Sequence, residues 1–252
     1  MSAAGEFPNE PLDGAIFADT GWEPRAVYDH LAWLKSVLPF PVHMTNNGNI
    51  REGILNRRKS PSGRFATVPW FITMPDGKKA MGRRQCSSEH KLTPIMWKTR
   101  ELLGKGRKES IPRGAVEVWI GISRDEASRM KDARQKYLRN SWPLIERNMT
   151  RADCLEWLKA HGYAEPPKSA CIGCPFHNAA MWRDMKKNDP VSFADAVAVD
   201  AALRVGHARG MRGVEYMHVA RKPLEEAVAE SAARADEQPN LFLGECEGIC
   251  GV

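Results

Sequence analysis

The hydrophobic residues of this chain change rhythm repeatedly, and each change predicts an element. Gly14-Ala-Ile-Phe-Ala-Asp19 is a short apolar run ending in a carboxylate, the pattern of a buried strand, and Asp19-Thr20-Gly21 follows as a turn. Pro24 suits a first helical turn. Val27, Leu31, Leu34 and Leu38 then recur at helical spacing until Pro39 and Pro41 stop them. Residues 41–44 read as a second strand and Asn46-Asn47-Gly48-Asn49 as a polar turn. A further apolar run from Ala66 to Met74 leads into a turn at Pro75-Asp76-Gly77, and a helix is expected from about Thr93 to Leu103. Residues 115–122 form the clearest strand, apolar and β-branched.

Beyond that strand the pattern becomes mainly helical. Ser123 with Glu126, and Thr150 with Asp153, predict capped helix starts, and His161-Gly162 ends the second helix. Pro166-Pro167 opens a loop carrying two cysteines, and helices are expected over about 178–187 and 190–207. From about residue 222 the chain turns acidic and alanine-rich and ends in a glycine-containing tail, 244–252. Trp97, Trp119, Trp157 and Trp182 fall at core spacings and read as packing. Strands alternating with helices predict an α/β fold with a mostly parallel sheet. The chain divides into a core over 1–130, a helical and cysteine-loop part over 131–222, and a linker with a tail over 223–252.

The net charge of +6 favours polyanionic partners or simply a basic surface. The basic residues Arg51, Arg57, Arg58, Lys59 and Arg64 suit either a nucleic-acid surface or a solvated loop. No apolar run approaches the ~20 residues of a membrane span, and the N-terminal residues lack the pattern of a secretory signal, so a cytoplasmic protein is expected. In that compartment thiols stay reduced, which turns six cysteines towards metal binding or redox chemistry.

Cys171-Ile-Gly-Cys174 is the strongest local signal, because two intervening residues let both sulfurs meet one metal. Gly173 permits the turn, Pro175 ends it, and Lys168 and His177 are expected to favour the thiolates. Cys86, beside Arg83 and Arg84 and just before a helix, reads as a poised thiolate or as a small buried hydrophobe. Cys154, inside a helix, reads as core. Cys246 and Cys250 lie in the tail, where they are either a nucleophile and a swinging ligand or incidental; Glu245 and Glu247 would raise the Cys246 thiol. Ser123, Arg124 and Arg129 stand at a strand-to-helix junction, where amides and a guanidinium suit an anion, although an ordinary capped helix reads the same way.

Together these segments resemble the PAPS reductase-like branch of the adenine nucleotide α-hydrolase superfamily. Phe17-Ala-Asp-Thr-Gly21 is similar to its second strand and turn, and Gly121-Ile-Ser-Arg-Asp-Glu126 with Arg129 to its phosphate- or sulfate-facing element. Cys86-Ser-Ser-Glu-His-Lys91-Leu-Thr-Pro94, followed about eighty residues later by Cys171-Ile-Gly-Cys174-Pro, resembles the iron–sulfur subclass in a phage or prophage style. The resemblance implies a three-layer sheet flanked by helices. It also implies ATP or another adenine nucleotide at Asp19, Thr20, Gly21, Ser123, Arg124 and Arg129. A [4Fe–4S] cluster on Cys86, Cys171 and Cys174 completes the picture, with zinc as the alternative.

The departures from the family pattern shape the expected function. Ser87 stands where the reductases carry a second adjacent cysteine, which favours a three-cysteine sulfurtransferase with tRNA or DNA as sulfur acceptor. A sulfonucleotide reductase using Cys246 or Cys250 is the alternative. The family's first strand and Ser-Gly-Gly phosphate loop have no counterpart here, so the nucleotide core is expected to be incomplete. That leaves a third expectation, a truncated, non-catalytic metal-binding or interaction protein. A homodimer is a candidate assembly.

Overall fold

The computed structural model describes residues 1, 4–6, 11–56, 68–205 and 213–235. They fall into two compact units, one drawn from Met1–Lys98 and from Lys168 onward, the other from Thr99–Pro167. These boundaries differ from those composition suggested at 130 and 222, because the cysteine loop and the helices after it fold back onto the N-terminal elements rather than forming a part of their own.

In the first unit β1 (Ala15–Asp19), α1 (Arg25–Val37) and β2 (Val42–Asn46) make a parallel βαβ turn, with Ala15 opposite Val42 and Asp19 opposite Asn46. Helix α1 follows Pro24 as expected and buries Val27 and Leu31; it ends before Pro39. Asn49 caps the short α2 (Ile50–Leu55) by accepting the Glu52 amide. The Pro75-Asp76-Gly77 segment closes a hairpin between β3 (Phe71–Thr73) and β4 (Lys79–Met81), and β7 (Val214–Tyr216) pairs antiparallel on the other side of β3. A helical stretch starts at Cys86 and passes through a π-helical turn, Ser88–Leu92, into α3 (Thr93–Leu102).

Helices α6 (Ala179–Asn188), α7 (Pro190–Val205) and α8 (Leu224–Ala235) complete this unit. Its core joins Trp22, Trp70, Trp182, Phe193, Met217 and Leu224, and Cys86 and Cys171 pack against it. The stretch from 224 is therefore not a linker. Leu224 and Val228 are fully enclosed, so the alanine-rich composition serves a helix that packs closely. Of the four tryptophans read as packing, Trp182 is fully buried, while Trp97, Trp119 and Trp157 are half-buried.

In the second unit β5 (Val116–Trp119) and β6 (Leu138–Ser141) pair in parallel, and α4 (Pro143–Glu146) and α5 (Arg151–Ala160) follow. The Thr150–Asp153 capping box forms as the spacing predicts. The Ser123–Glu126 box does not form. Ser123 caps a six-residue 3₁₀ helix, Arg124–Arg129, without a side-chain capping bond, because its hydroxyl goes to Asp125 and Glu126 pairs with Arg129.

The chain is thus mixed α/β, with small parallel sheets flanked by helices. In place of one mostly parallel sheet, the described strands pair as two parallel pairs and one antiparallel three-stranded sheet. Among the described residues no helix is long and apolar enough to cross a membrane.

Candidate metal centre

The Asp19-Thr20-Gly21 turn is fixed by its own side chains. Asp19 Oδ1 accepts the Gly21 amide at 2.7 Å and the Tyr28 hydroxyl at 2.9 Å. Burial and the Asp19 carboxylate push the Tyr28 phenol up to about 12. Gly21 adopts φ 71°, a conformation in which a side chain is strained, and the Asn49 amide donates to its carbonyl at 2.9 Å. This turn directs Thr20, Trp22 and Glu23, each at most 4% exposed, into the first unit.

There they meet the cysteine loop. The Ile172 amide donates to the Trp22 carbonyl at 2.8 Å, which ties the middle of Cys171-Ile-Gly-Cys174 to the end of that turn. The loop itself winds through two successive turns, Cys174 N–H to the Cys171 carbonyl and His177 N–H to the Cys174 carbonyl. His177 Nε2 lies 2.9 Å from the Cys171 carbonyl and therefore carries the proton, since a carbonyl only accepts. The indole of Trp22 lies over Gly173 and donates through Nε1 to Asp195 Oδ2 at 2.7 Å. Arg51 grips both oxygens of Asp195. Arg51, counted from sequence among the residues of a basic surface, is thus engaged in an ion pair within the unit.

A cavity of about 40 Å³ opens between these parts, lined by Thr20, Trp22, Cys86, Lys91, Cys171 and Cys174 among others. Such a volume holds roughly three water molecules or an ion. Ser87 and Arg84 also line it, and the Arg84 guanidinium lies 5.4 Å from the centroid of the Phe176 ring. The three cysteines that the family resemblance groups across about eighty residues share one cavity. None of them is in a disulfide. Among the described residues, no three His, Cys, Asp or Glu side chains stand in a metal-holding array.

The Cys171 and Cys86 thiols are not poised as thiolates. Burial, followed by the nearby Glu23 carboxylate, pushes Cys171 up to about 12, and Lys91 and the Thr20 hydroxyl offset this only in part. Burial also raises Cys86 against the pull of Arg84. The expected help from Lys168 and His177 is missing: the Lys168 ammonium sits 3.5 Å from the Met181 sulfur, and burial lowers the imidazole pKa of His177. Removal from water outweighs the nearby positive charge. Thiols in such a place ionise when a metal replaces the proton.

The residues expected at a nucleotide divide between the units. Thr20 lines the cysteine cavity, and Asp19 and Gly21 shape the turn behind it. In the second unit the Arg124 amide donates to the Met149 carbonyl and the Glu126 amide to the Ser123 carbonyl, so neither is offered to an anion. Arg129 forms an ion pair with Glu126 at 2.7 Å, and Arg124 donates to Asn148. Cys154, expected in the core, is only half-buried in α5, a helix of that unit with no buried residue. Cys246 and Cys250 lie outside the described residues.

Sequence reasoning missed Trp22, Glu23 and Asp195. A glutamate before a helix-starting proline reads as an exposed first-turn charge, and nothing in local spacing marks its burial. Comparison of the chain with family models, curated proteins and solved structures returns no match.

Proposed function

We propose that this chain is a PAPS reductase-like protein of sulfur metabolism with a thiophilic metal centre on Cys86, Cys171 and Cys174. Its α/β core is read as a three-layer, adenine nucleotide α-hydrolase-like fold. The observation that carries the reading is the meeting of three cysteines from two distant segments on one cavity. Soft thiolates select zinc or iron–sulfur clusters over hard cations, so the donor set fits either. When bound, such a group would supply a site at which sulfide is held and transferred, with an adenine nucleotide activating the acceptor, tRNA or DNA. The chain's own residues build the enclosure. Trp22 and Gly173 fix the cysteine loop, and Lys91 and Arg84 offset the negative charge of the sulfurs.

The test is anaerobic purification followed by iron, sulfide and zinc analysis of wild type, of a Cys86→Ser, Cys171→Ser, Cys174→Ser triple variant, and of Cys154→Ala. Near-stoichiometric metal in wild type and Cys154→Ala, lost in the triple variant, is the expected result. A wild type that retains and takes up no metal, or a triple variant that matches it, would overturn the reading.

One observation favours a second reading, a metal-binding interaction protein without nucleotide chemistry. Arg129 is paired with Glu126 and the neighbouring amides are spent within the unit. Under that reading ATP binding to wild type, measured by calorimetry, is undetectable while the metal is present. The sulfonucleotide reductase alternative depends on Cys246 or Cys250, and nothing in the described residues supports it.

A further inference from the structure

The chain's positive charge gathers at one end of the second unit. Strands β5 and β6 are parallel, so the segments that enter them reach the same end of that sheet. The segment before β5, residues 105–113, carries Lys105, Arg107, Lys108 and Arg113, with Glu109 as its one acid. The segment before β6, residues 134–136, adds Arg134 and Lys136. Six basic residues against one acidic leave +5 here, where the whole chain carries +6. All six are exposed.

The two segments are joined to one another. The Gly114 amide donates to the Lys136 carbonyl and the Val116 amide to the Tyr137 carbonyl, both at 3.0 Å. Arg100, in the part of α3 that belongs to this unit, donates to the Gly106 carbonyl at 2.9 and 2.7 Å and to the Glu109 carbonyl. The same guanidinium lies 5.6 Å from the centroid of the Tyr137 ring. One arginine thus holds the turn of the first segment beside Lys136. Lys105 pairs with Glu109 at 3.7 Å, and both side chains are exposed enough for solvent to screen the pair.

Like charges gathered in this way repel, and a polyanion laid across them relieves the repulsion while releasing its own counterions. Guanidiniums such as those of Arg113 and Arg134 match phosphate oxygens in a planar fork. Neither segment exposes a large apolar side chain of the kind that anchors a protein in a bilayer, since Ile111 is half-buried. Leu102 and Leu103, exposed at the end of α3, make an anionic membrane the rival to be tested.

We infer that this end of the second unit is a nucleic-acid-binding surface, with Lys108, Arg113 and Lys136 among its phosphate contacts. The partner is recognised by its phosphodiester backbone, without regard to sequence. The inference rests on the nucleic-acid acceptor of the reading above. It moves the contact away from Arg51, whose guanidinium is occupied by Asp195.

The experiment is fluorescence anisotropy with labelled duplex DNA and duplex RNA of about 20 base pairs, from about 50 to 200 mM salt. Full-length wild type is compared with a Lys108→Gln, Arg113→Gln, Lys136→Gln triple variant. The control is a Lys35→Gln, Lys78→Gln, Lys187→Gln triple variant, which loses the same charge from exposed positions of the first unit. Melting temperatures of all three should agree, because every substituted side chain is exposed. The first variant should bind at least ~10-fold more weakly at low salt. Its slope of log affinity against log salt should be shallower by about 2–3, near 0.9 for each lost phosphate contact. The control should keep the wild-type slope. Equal losses in both variants would mean that net charge alone acts, and a first variant that matches wild type would remove the surface. Failure of wild type to bind either duplex overturns the inference, whether or not it binds phosphatidylserine vesicles. Metal analysis of the same samples keeps the two readings apart. Surface-dependent binding by a chain without metal sustains this inference while the metal centre falls, and surface-independent binding by a metal-loaded chain does the reverse.

Discussion

The indole of Trp22 fills the space that any side chain at residue 173 would need: a β-carbon built on Gly173 comes within 2.0 Å of Trp22 Cη2 and 2.9 Å of Met217 Cε. The glycine of the cysteine loop therefore serves close packing as much as turn geometry. Trp22 is in turn fixed at both ends, by the Ile172 amide on its carbonyl and by Asp195 on its indole nitrogen. The loop, the Asp-Thr-Gly turn and α7 are thus joined through one aromatic ring.

Gly173→Ala forces that ring or the loop to move. Overpacking a dense core costs about 1–3 kcal/mol, and the clash lies against a ring that cannot turn aside without breaking its bond to Asp195. We expect the melting temperature to fall by several degrees and metal affinity to drop in parallel. Combining it with Trp22→Leu should recover part of the metal affinity. Thermal melts and chelator competition on the three variants check this.

Asp195→Ala removes the acceptor for Trp22 and the partner of Arg51 together. The pair is partly exposed, so solvent screens the charge, and a loss of about 1–2 kcal/mol is expected. Asp195→Asn should cost less, because the amide oxygen still accepts the indole proton. Urea unfolding measures both. A loss that shrinks with added salt would mark the ionic share contributed by Arg51.

How much of this was legible beforehand follows from the range of each interaction. The βαβ start, the Thr150–Asp153 cap and helices α6 and α7 rest on local spacing, and they form within a residue or two of expectation. The grouping of Cys86 with Cys171 and Cys174 came from a family resemblance; the three line one cavity but, among the described residues, do not stand in a metal-holding array. What local pattern could not carry was pairing at a distance. The β3–β7 ladder joins residues more than a hundred positions apart, so the antiparallel sheet was not foreseen. Thiol ionisation was misread for the same reason, because sequence displays nearby cations but not the burial that overrides them.

Two buried histidines that do not line the cavity set an acid limit on stability. His90 is 4% exposed and His218 6%, and burial lowers the pKa of each below the usual histidine value. A hydrogen bond to the Gly48 backbone and then the Glu89 carboxylate raise His90, and Asp200 raises His218, only in part. An unfolded chain takes up these protons near pH 6.5 while the folded chain still refuses them. Stability is therefore fully present above about pH 6.5 and falls as pH drops through and below it, by at most about 1.4 kcal/mol per pH unit for each histidine. Urea unfolding from pH 7.5 to 5.0 should show the decline. His218→Gln should flatten it, whereas a surface substitution such as His161→Gln should not.

Asp200 offers the sharpest stability test, because its charge is wholly buried and fully used. Its Oδ1 accepts the Met217 amide and its Oδ2 the Leu224 amide, both at 2.9 Å, and Arg204 one turn along α7 supplies the cation. One carboxylate thus joins α7 to the end of β7 and to the first residue of α8, two segments that local sequence gives no reason to meet. Asp200→Ala leaves two buried amides without acceptors and Arg204 without its partner, a loss of about 3–5 kcal/mol. Asp200→Asn keeps one acceptor but turns a donor towards the other amide, so it should recover less than half of that loss. Arg204→Leu in the Asp200→Ala background should cost little more, since the cation's partner is already gone. Hydrogen exchange at the Met217 and Leu224 amides separates this from general destabilisation. In Asp200→Ala those two should exchange far faster than amides in the middle of α6, and equal protection loss across both would mean that Asp200 does no more than fill the core.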